Sequence, residues 1–111
     1  MNIYLNNIIL ELQQELYKDN NIVYASICDL AKILNINRNN FILDSSLKIL
    51  TINIDDKVIV INYNSITYNN ELIYSSGYII INTIRYLPVK IITETLSGIY
   101  NEQNDNIYIE L

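Results

Sequence analysis

A chain of 111 residues is about one domain long, and with half its residues hydrophobic, two Gly and one Pro it is too rich in core formers to be disordered. The net charge of −5 comes from scattered Asp and Glu, and the seven basic residues (Lys18, Lys32, Arg38, Lys48, Lys57, Arg85, Lys90) are dispersed. That distribution provides no phosphate-tracking face and excludes nucleic acid as a partner. With no His and a single Cys, the chain has no imidazole or thiolate cluster for copper or zinc and no Ser–His–Asp or Cys–His arrangement.

In chain order, Ile3 and Leu5 predict a strand, Asn6-Asn7 a tight turn, and Ile8 to Leu12 a returning strand. Gln13 to Lys18 is ambiguous. Asp19-Asn20-Asn21 turns the chain into a short strand, Ile22 to Tyr24, which leads to a helix over Ser26 to Leu34. Ser26 and Asp29 have the spacing of a capping arrangement at its start. Cys28 lies on that helix as a buried or half-buried residue, and the neighbouring Asp29 opposes thiolate formation. Asn35 to Asn40 is a polar turn. Strands follow at Phe41 to Leu43, at Leu50 to Ile54 and, after the turn Asp55-Asp56, at Lys57 to Tyr63.

A hairpin is predicted over Ile66 to Tyr74 around Asn69-Asn70. Ser75-Ser76-Gly77 is a loop, and Tyr78 to Ile81 reads as a buried strand. After Asn82-Thr83 comes a strand, Ile84 to Leu87, and Pro88 opens a second helix that Gly98 ends. The last strands are Ile99 to Asn101 and the alternating Ile107 to Leu111. This terminal strand and the first one, near Ile3, are expected at sheet edges, where a second copy could pair and make a homo-oligomer. No stretch is long and apolar enough to span a bilayer, and residues 1–7 lack the pattern of a secretory signal. As written the chain reads as soluble and cytoplasmic; as a piece of an exported protein it would belong to the cell envelope or outside the cell.

The chain also repeats itself. Tyr24-Ala-Ser-Ile-Cys-Asp-Leu-Ala-Lys-Ile-Leu-Asn returns 62 positions later as Tyr86-Leu-Pro-Val-Lys-Ile-Ile-Thr-Glu-Thr-Leu-Ser. Ile27, Leu30 and Leu34 answer to Val89, Ile92 and Leu96, one helical face in each copy. The predicted fold class is therefore α+β: one domain, residues 1–111, of two βα-type repeats, 1–62 and 63–111. Short antiparallel strands and hairpins would pack around two helices.

These residues resemble the copper amine oxidase N-terminal-like, or stalk, domain of Gram-positive bacterial proteins. The resemblance is carried by Ile81-Asn82, Tyr86-Leu87-Pro88-Val89-Lys90, Glu94-Thr95-Leu96-Ser97 and Ile99-Tyr100-Asn101-Glu102. Thr83 and Ile84 stand where that family commonly has Gly and Arg, and Asn101 where it commonly has Trp, which would make this a divergent member. The resemblance implies an appended or surface module that contacts protein or cell-wall polymer and has no catalytic centre.

No cofactor, metal or catalytic residue is assigned. Asp55-Asp56 lacks the alternating ligands of a calcium loop, and Lys90 with Glu94 at i, i+4 reads as a surface pair worth roughly 0.2–0.5 kcal/mol. The binding candidates are Tyr78, Arg85, Tyr86 and Lys90. Tyrosines with interspersed Asn (also Tyr63, Tyr68 and Tyr74) suit stacking on sugars or closing a protein interface, although Tyr also favours strands. Arg85 is a guanidinium suited to a small anionic ligand or a partner's carboxylate. The rival to the stalk-like reading is a free-standing intracellular protein that sequesters a small ligand or inhibits an enzyme, such as a phage-encoded counter-defence factor.

Overall fold

The computed structural model describes residues 1–111. The strands are β1 (Ile3–Leu5), β2 (Ile8–Ile9), β3 (Tyr17–Asp19), β4 (Ile22–Ser26), β5 (Phe41–Asp44), β6 (Ile49–Ile54) and β7 (Lys57–Ile61). They continue with β8 (Ile66–Tyr68), β9 (Glu71–Tyr74), β10 (Ile79–Ile81), β11 (Ile84–Pro88), β12 (Ile99–Gln103) and β13 (Asn106–Glu110). Helix α1 (Ile27–Ile33) follows β4, a 3₁₀ turn covers Arg38–Asn40, and α2 (Val89–Thr95) follows β11.

The hairpins are set by asparagine. The two-residue turns Asn6-Asn7, Asn20-Asn21, Asn69-Asn70, Asn82-Thr83 and Asn104-Asp105 hold both residues at positive φ, between 47° and 71°. Such turns match the right-handed twist of the flanking strands, and Asn tolerates the left-handed region better than other residues with a Cβ. Neither glycine has positive φ. Much of the Asn content is therefore turn chemistry.

The α+β architecture predicted from the repeat is corrected. The chain is 48% strand and 15% helix, arranged as three sheets. The sheet orders are β12-β13-β1-β2, β10-β11-β4-β3 and β5-β6-β7-β8-β9. Each helix has seven residues, about two turns, which is too little surface to serve as the scaffold that strands wrap. The sheets form the body, and the helices cover parts of it: α1 packs on β11 and β4, and α2 on β4 and β12.

In the middle sheet the two copies meet at their matching strands. β4 and β11 pair antiparallel with Ala25 opposite Leu87, Tyr24 opposite Pro88 and Ser26 opposite Tyr86. Ala25 and Leu87 are the same position of the two copies, so a pseudo-two-fold axis passes between them. The hairpin before each helix lies in this middle sheet, and the hairpin after each helix lies in an outer one, β5 with β6 and β12 with β13. β13 and β1 pair directly and in parallel, with Ile3 opposite Ile107. Their counterparts β6 and β8 are separated by β7, which pairs antiparallel with both. One buried cluster of 20 residues runs through all three sheets and both helices, from Ile3 and Val23 through Leu30, Ile52 and Ile61 to Leu87, Ile92 and Ile109.

Four local expectations are also corrected. β13 and β1 are interior to their sheet, because they satisfy each other's backbone groups; its edges are β12 and β2. Cys28 is exposed, since it falls on the outer side of α1 while Ile27, Leu30, Ala31 and Leu34 face the core. The left-handed residue after α2 is Ser97 (φ 69°), the counterpart of Asn35 (φ 53°) after α1, and not Gly98. Lys90 and Glu94 form no ion pair; the chain's one ion pair joins Lys18 to Glu102.

Ser26 does cap α1, its Oγ accepting from the Asp29 backbone N–H at 3.3 Å, but the Asp29 carboxylate does not bond back to Ser26. It is buried and accepts from the backbone N–H groups of Gln13 and Gln14, at 2.8 and 2.9 Å. These bonds fasten the otherwise irregular segment before β3 to α1. Asp29→Ala is expected to cost about 2–3 kcal/mol, because two hydrogen bonds to a charged acceptor disappear together. Urea unfolding should report a lower midpoint with an unchanged slope, and an unchanged midpoint would contradict the assignment.

Candidate functional site

Two clefts are related by the pseudo-two-fold. The larger, about 520 Å³, is lined by Asn21, Ile22 and Val23 from the β3–β4 hairpin, Tyr74 at the end of β9, Pro88, Lys90, Ile91 and Glu94 around α2, and Tyr100, Asn101 and Glu102 on β12. The smaller, about 250 Å³, is lined by Gln13, Gln14, Ser26, Ile27, Cys28, Arg38, Thr83, Ile84 and Arg85. With the 62-residue offset, Asn21, Ile22 and Val23 become Thr83, Ile84 and Arg85, while Pro88, Lys90 and Tyr100 become Ser26, Cys28 and Arg38. The strand and helix start that floor the niche are thus built twice with different side chains, while the rims, which follow the helices, differ in backbone, Tyr100 lying on β12 and Arg38 in the 3₁₀ turn.

In the larger cleft Tyr100 is half-buried, and its hydroxyl donates to Glu102 Oε1 at 3.2 Å. Burial, and then the charge of Glu102, push its phenol well above the usual tyrosine range, so it stays a neutral hydrogen-bonding group. Glu102 also accepts from Lys18 Nζ at 2.5 Å, and that bond holds its carboxyl below the ordinary glutamate range and the Lys18 ammonium above its own. The two unpaired charges at this cleft, Lys90 and Glu94, are exposed and opposite in sign. Tyr74 is half-buried, and Asn21 and Asn101 expose their amides. These groups can stack and exchange hydrogen bonds with a neutral or zwitterionic ligand. No group of three or more His, Cys, Asp or Glu side chains could hold a metal ion.

The four residues singled out from the sequence fall in different places. Tyr78 is 1% exposed, and its hydroxyl donates to the Lys48 carbonyl at 2.8 Å; it is a core residue joining β10 to the β5–β6 turn. Tyr86 is buried opposite Ser26. Arg85 stands over the Tyr78 ring, Cζ to centroid 5.3 Å, and lines the smaller cleft. Lys90 lines the larger one. Tyr78 and Arg85 are therefore brought together, and Lys90 is apart from both. Tyr100, Glu102 and Arg38 were not singled out, although the 62-residue offset carries Arg38 onto Tyr100 and was the available signal.

No helix is long and apolar enough to cross a membrane. No family model, curated protein or solved structure matches this chain significantly.

Proposed function

We propose that the protein is a non-catalytic interaction module, similar in role to the stalk domains of bacterial cell-envelope proteins, and that its larger cleft holds a segment of wall polymer. One observation carries the reading: the cleft joins both repeats and presents Tyr74 and Tyr100 beside the amides of Asn21 and Asn101, with Lys90 and Glu94 at the rim. Aromatic faces next to hydrogen-bonding amides suit a sugar ring, whose axial hydrogens stack while its hydroxyls need partners. One free charge of each sign favours an uncharged or zwitterionic ligand, such as an amino-sugar chain bearing short peptides. At about 520 Å³ the cleft falls within the ~300–1,000 Å³ usual for small-ligand sites.

Soluble wall fragments added to isotopically labelled protein should shift the amides of Tyr100, Asn101 and Lys90 saturably. Tyr100→Ala should weaken binding about fivefold or more through lost stacking. Absence of any shift at millimolar fragment would overturn the proposal. So would a nucleotide or metabolite released when protein purified from its native host is denatured and examined by mass spectrometry, a result that favours the sequestration alternative.

A further inference from the structure

We propose that the smaller, repeat-related cleft is a binding site for a compact oxyanion, held by Arg38 and Arg85. The chain has 12 acidic and seven basic residues, yet this cleft is lined by two arginines and no acid. Neither arginine makes an ion pair. Arg85 rests its guanidinium on the Tyr78 ring, and its Nε–H is buried without an acceptor. Arg38 stands 5.6 Å from the Phe41 ring centroid and donates one hydrogen bond, from Nη1 to the Phe41 carbonyl at 3.4 Å. A guanidinium has five donors, so most of those on Arg38 are unused.

A buried donor left unpaired is costly in a folded protein, and neither guanidinium has a counter-ion within the chain. An anion bound in the cleft supplies an acceptor and the missing counter-charge. Asp29, on the helix whose first turn lines the cleft, is not itself in the lining, and each of its carboxylate oxygens accepts a backbone N–H, from Gln13 and Gln14. In the sister cleft the counterparts of Arg85 and Arg38 are Val23 and Tyr100, so the cationic character belongs to this copy alone. Arginine's planar fork matches two oxygens of a carboxylate or phosphate. The volume, about 250 Å³, lies below the ~300–1,000 Å³ of sites for larger ligands and restricts the occupant to a compact group.

The test is a nuclear magnetic resonance titration of the full chain with sodium phosphate and, separately, sodium acetate, each at ionic strength held constant with chloride. The amides of Gln14, Cys28, Thr83 and Arg85 should shift saturably with at least one of them, and the one that saturates identifies the oxyanion class. Arg38→Gln and Arg85→Gln should each weaken binding about tenfold, the loss of one charge-assisted pair. Lys90→Gln, in the sister cleft, should leave binding unchanged. Arg38 is exposed, so Arg38→Gln remains decisive if Arg85→Gln does not fold. Shifts that stay linear for both salts, or that persist unchanged in Arg38→Gln, overturn the proposal. The result is independent of wall-fragment binding, which reads the other cleft.

Discussion

Gly77→Ala should cost about 3 kcal/mol or more of stability. A Cβ at position 77 would stand 1.5 Å from the Asn62 carbonyl oxygen and 2.6 Å from its carbon, a contact no rotamer change can relieve because the obstacle is backbone. That carbonyl is pinned on both sides. It accepts the Tyr78 N–H at 3.0 Å, and the Asn62 side chain accepts from the backbone N–H groups of Asn64 and Ser65, both at 2.8 Å. Overpacking ordinarily costs 1–3 kcal/mol, and a backbone obstacle places this case at the top of that range or above it; a small domain's whole stability is about 5–15 kcal/mol. Gly98→Ala gives the internal comparison. Its Cβ would meet Thr93 Cγ2 at 2.8 Å and Leu111 Cδ2 at 2.9 Å, while the backbone contact there, the Thr93 carbonyl oxygen, is at 3.1 Å and not at 1.5 Å. Urea midpoints should place Gly77→Ala well below Gly98→Ala, and equal losses would contradict the backbone account.

Leu87→Ala should cost about 3 kcal/mol, within the ~2–5 kcal/mol seen when a buried leucine is truncated. Leu87 is fully buried and faces Ala25 across the pseudo-two-fold axis, where directly opposed residues project to the same side of the sheet. The axis makes one large and one small residue the natural filling of a symmetric space, and Ala25→Leu alone should overpack it by about 1–3 kcal/mol. Because the two positions are equivalent, the double change Ala25→Leu with Leu87→Ala exchanges the filling and should recover more than half of the summed loss. Thermal or urea unfolding of the four proteins forms a double-mutant cycle, and strictly additive losses would show that the surroundings of the two positions are not equivalent.

Local chemistry was the most legible part of this chain. Asn-Asn doublets located hairpin turns because two consecutive left-handed residues are tolerated by few other pairs. The hairpin at Ile66–Tyr68 and Glu71–Tyr74 follows directly from the doublet between its strands. Gln13 to Lys18 was unreadable for a physical reason: its order comes from the distant Asp29 carboxylate, and Tyr17, Lys18 and Asp19 are all exposed, so no alternation marks β3. Arg85 stood out by its chemistry, and the structure places it in a cleft. Tyr78 and Tyr86 stood out by type, and both are buried, because an aromatic residue in a strand serves packing as readily as binding.

The sequence by itself determined the turn positions, the two short helices and a repeat offset of 62 residues, since each is written in local residue identity or spacing. Only the tertiary structure decided that sheets and not helices form the body, that β1 closes on β13 in parallel, and that β7 separates the corresponding pair at the other end. Those are contacts between residues as far apart as Ile3 and Ile107, which no local pattern encodes. The two clefts combine both kinds of information: repetition makes their floors alike, and divergence at Val23 against Arg85 and Tyr100 against Arg38 makes their chemistry different.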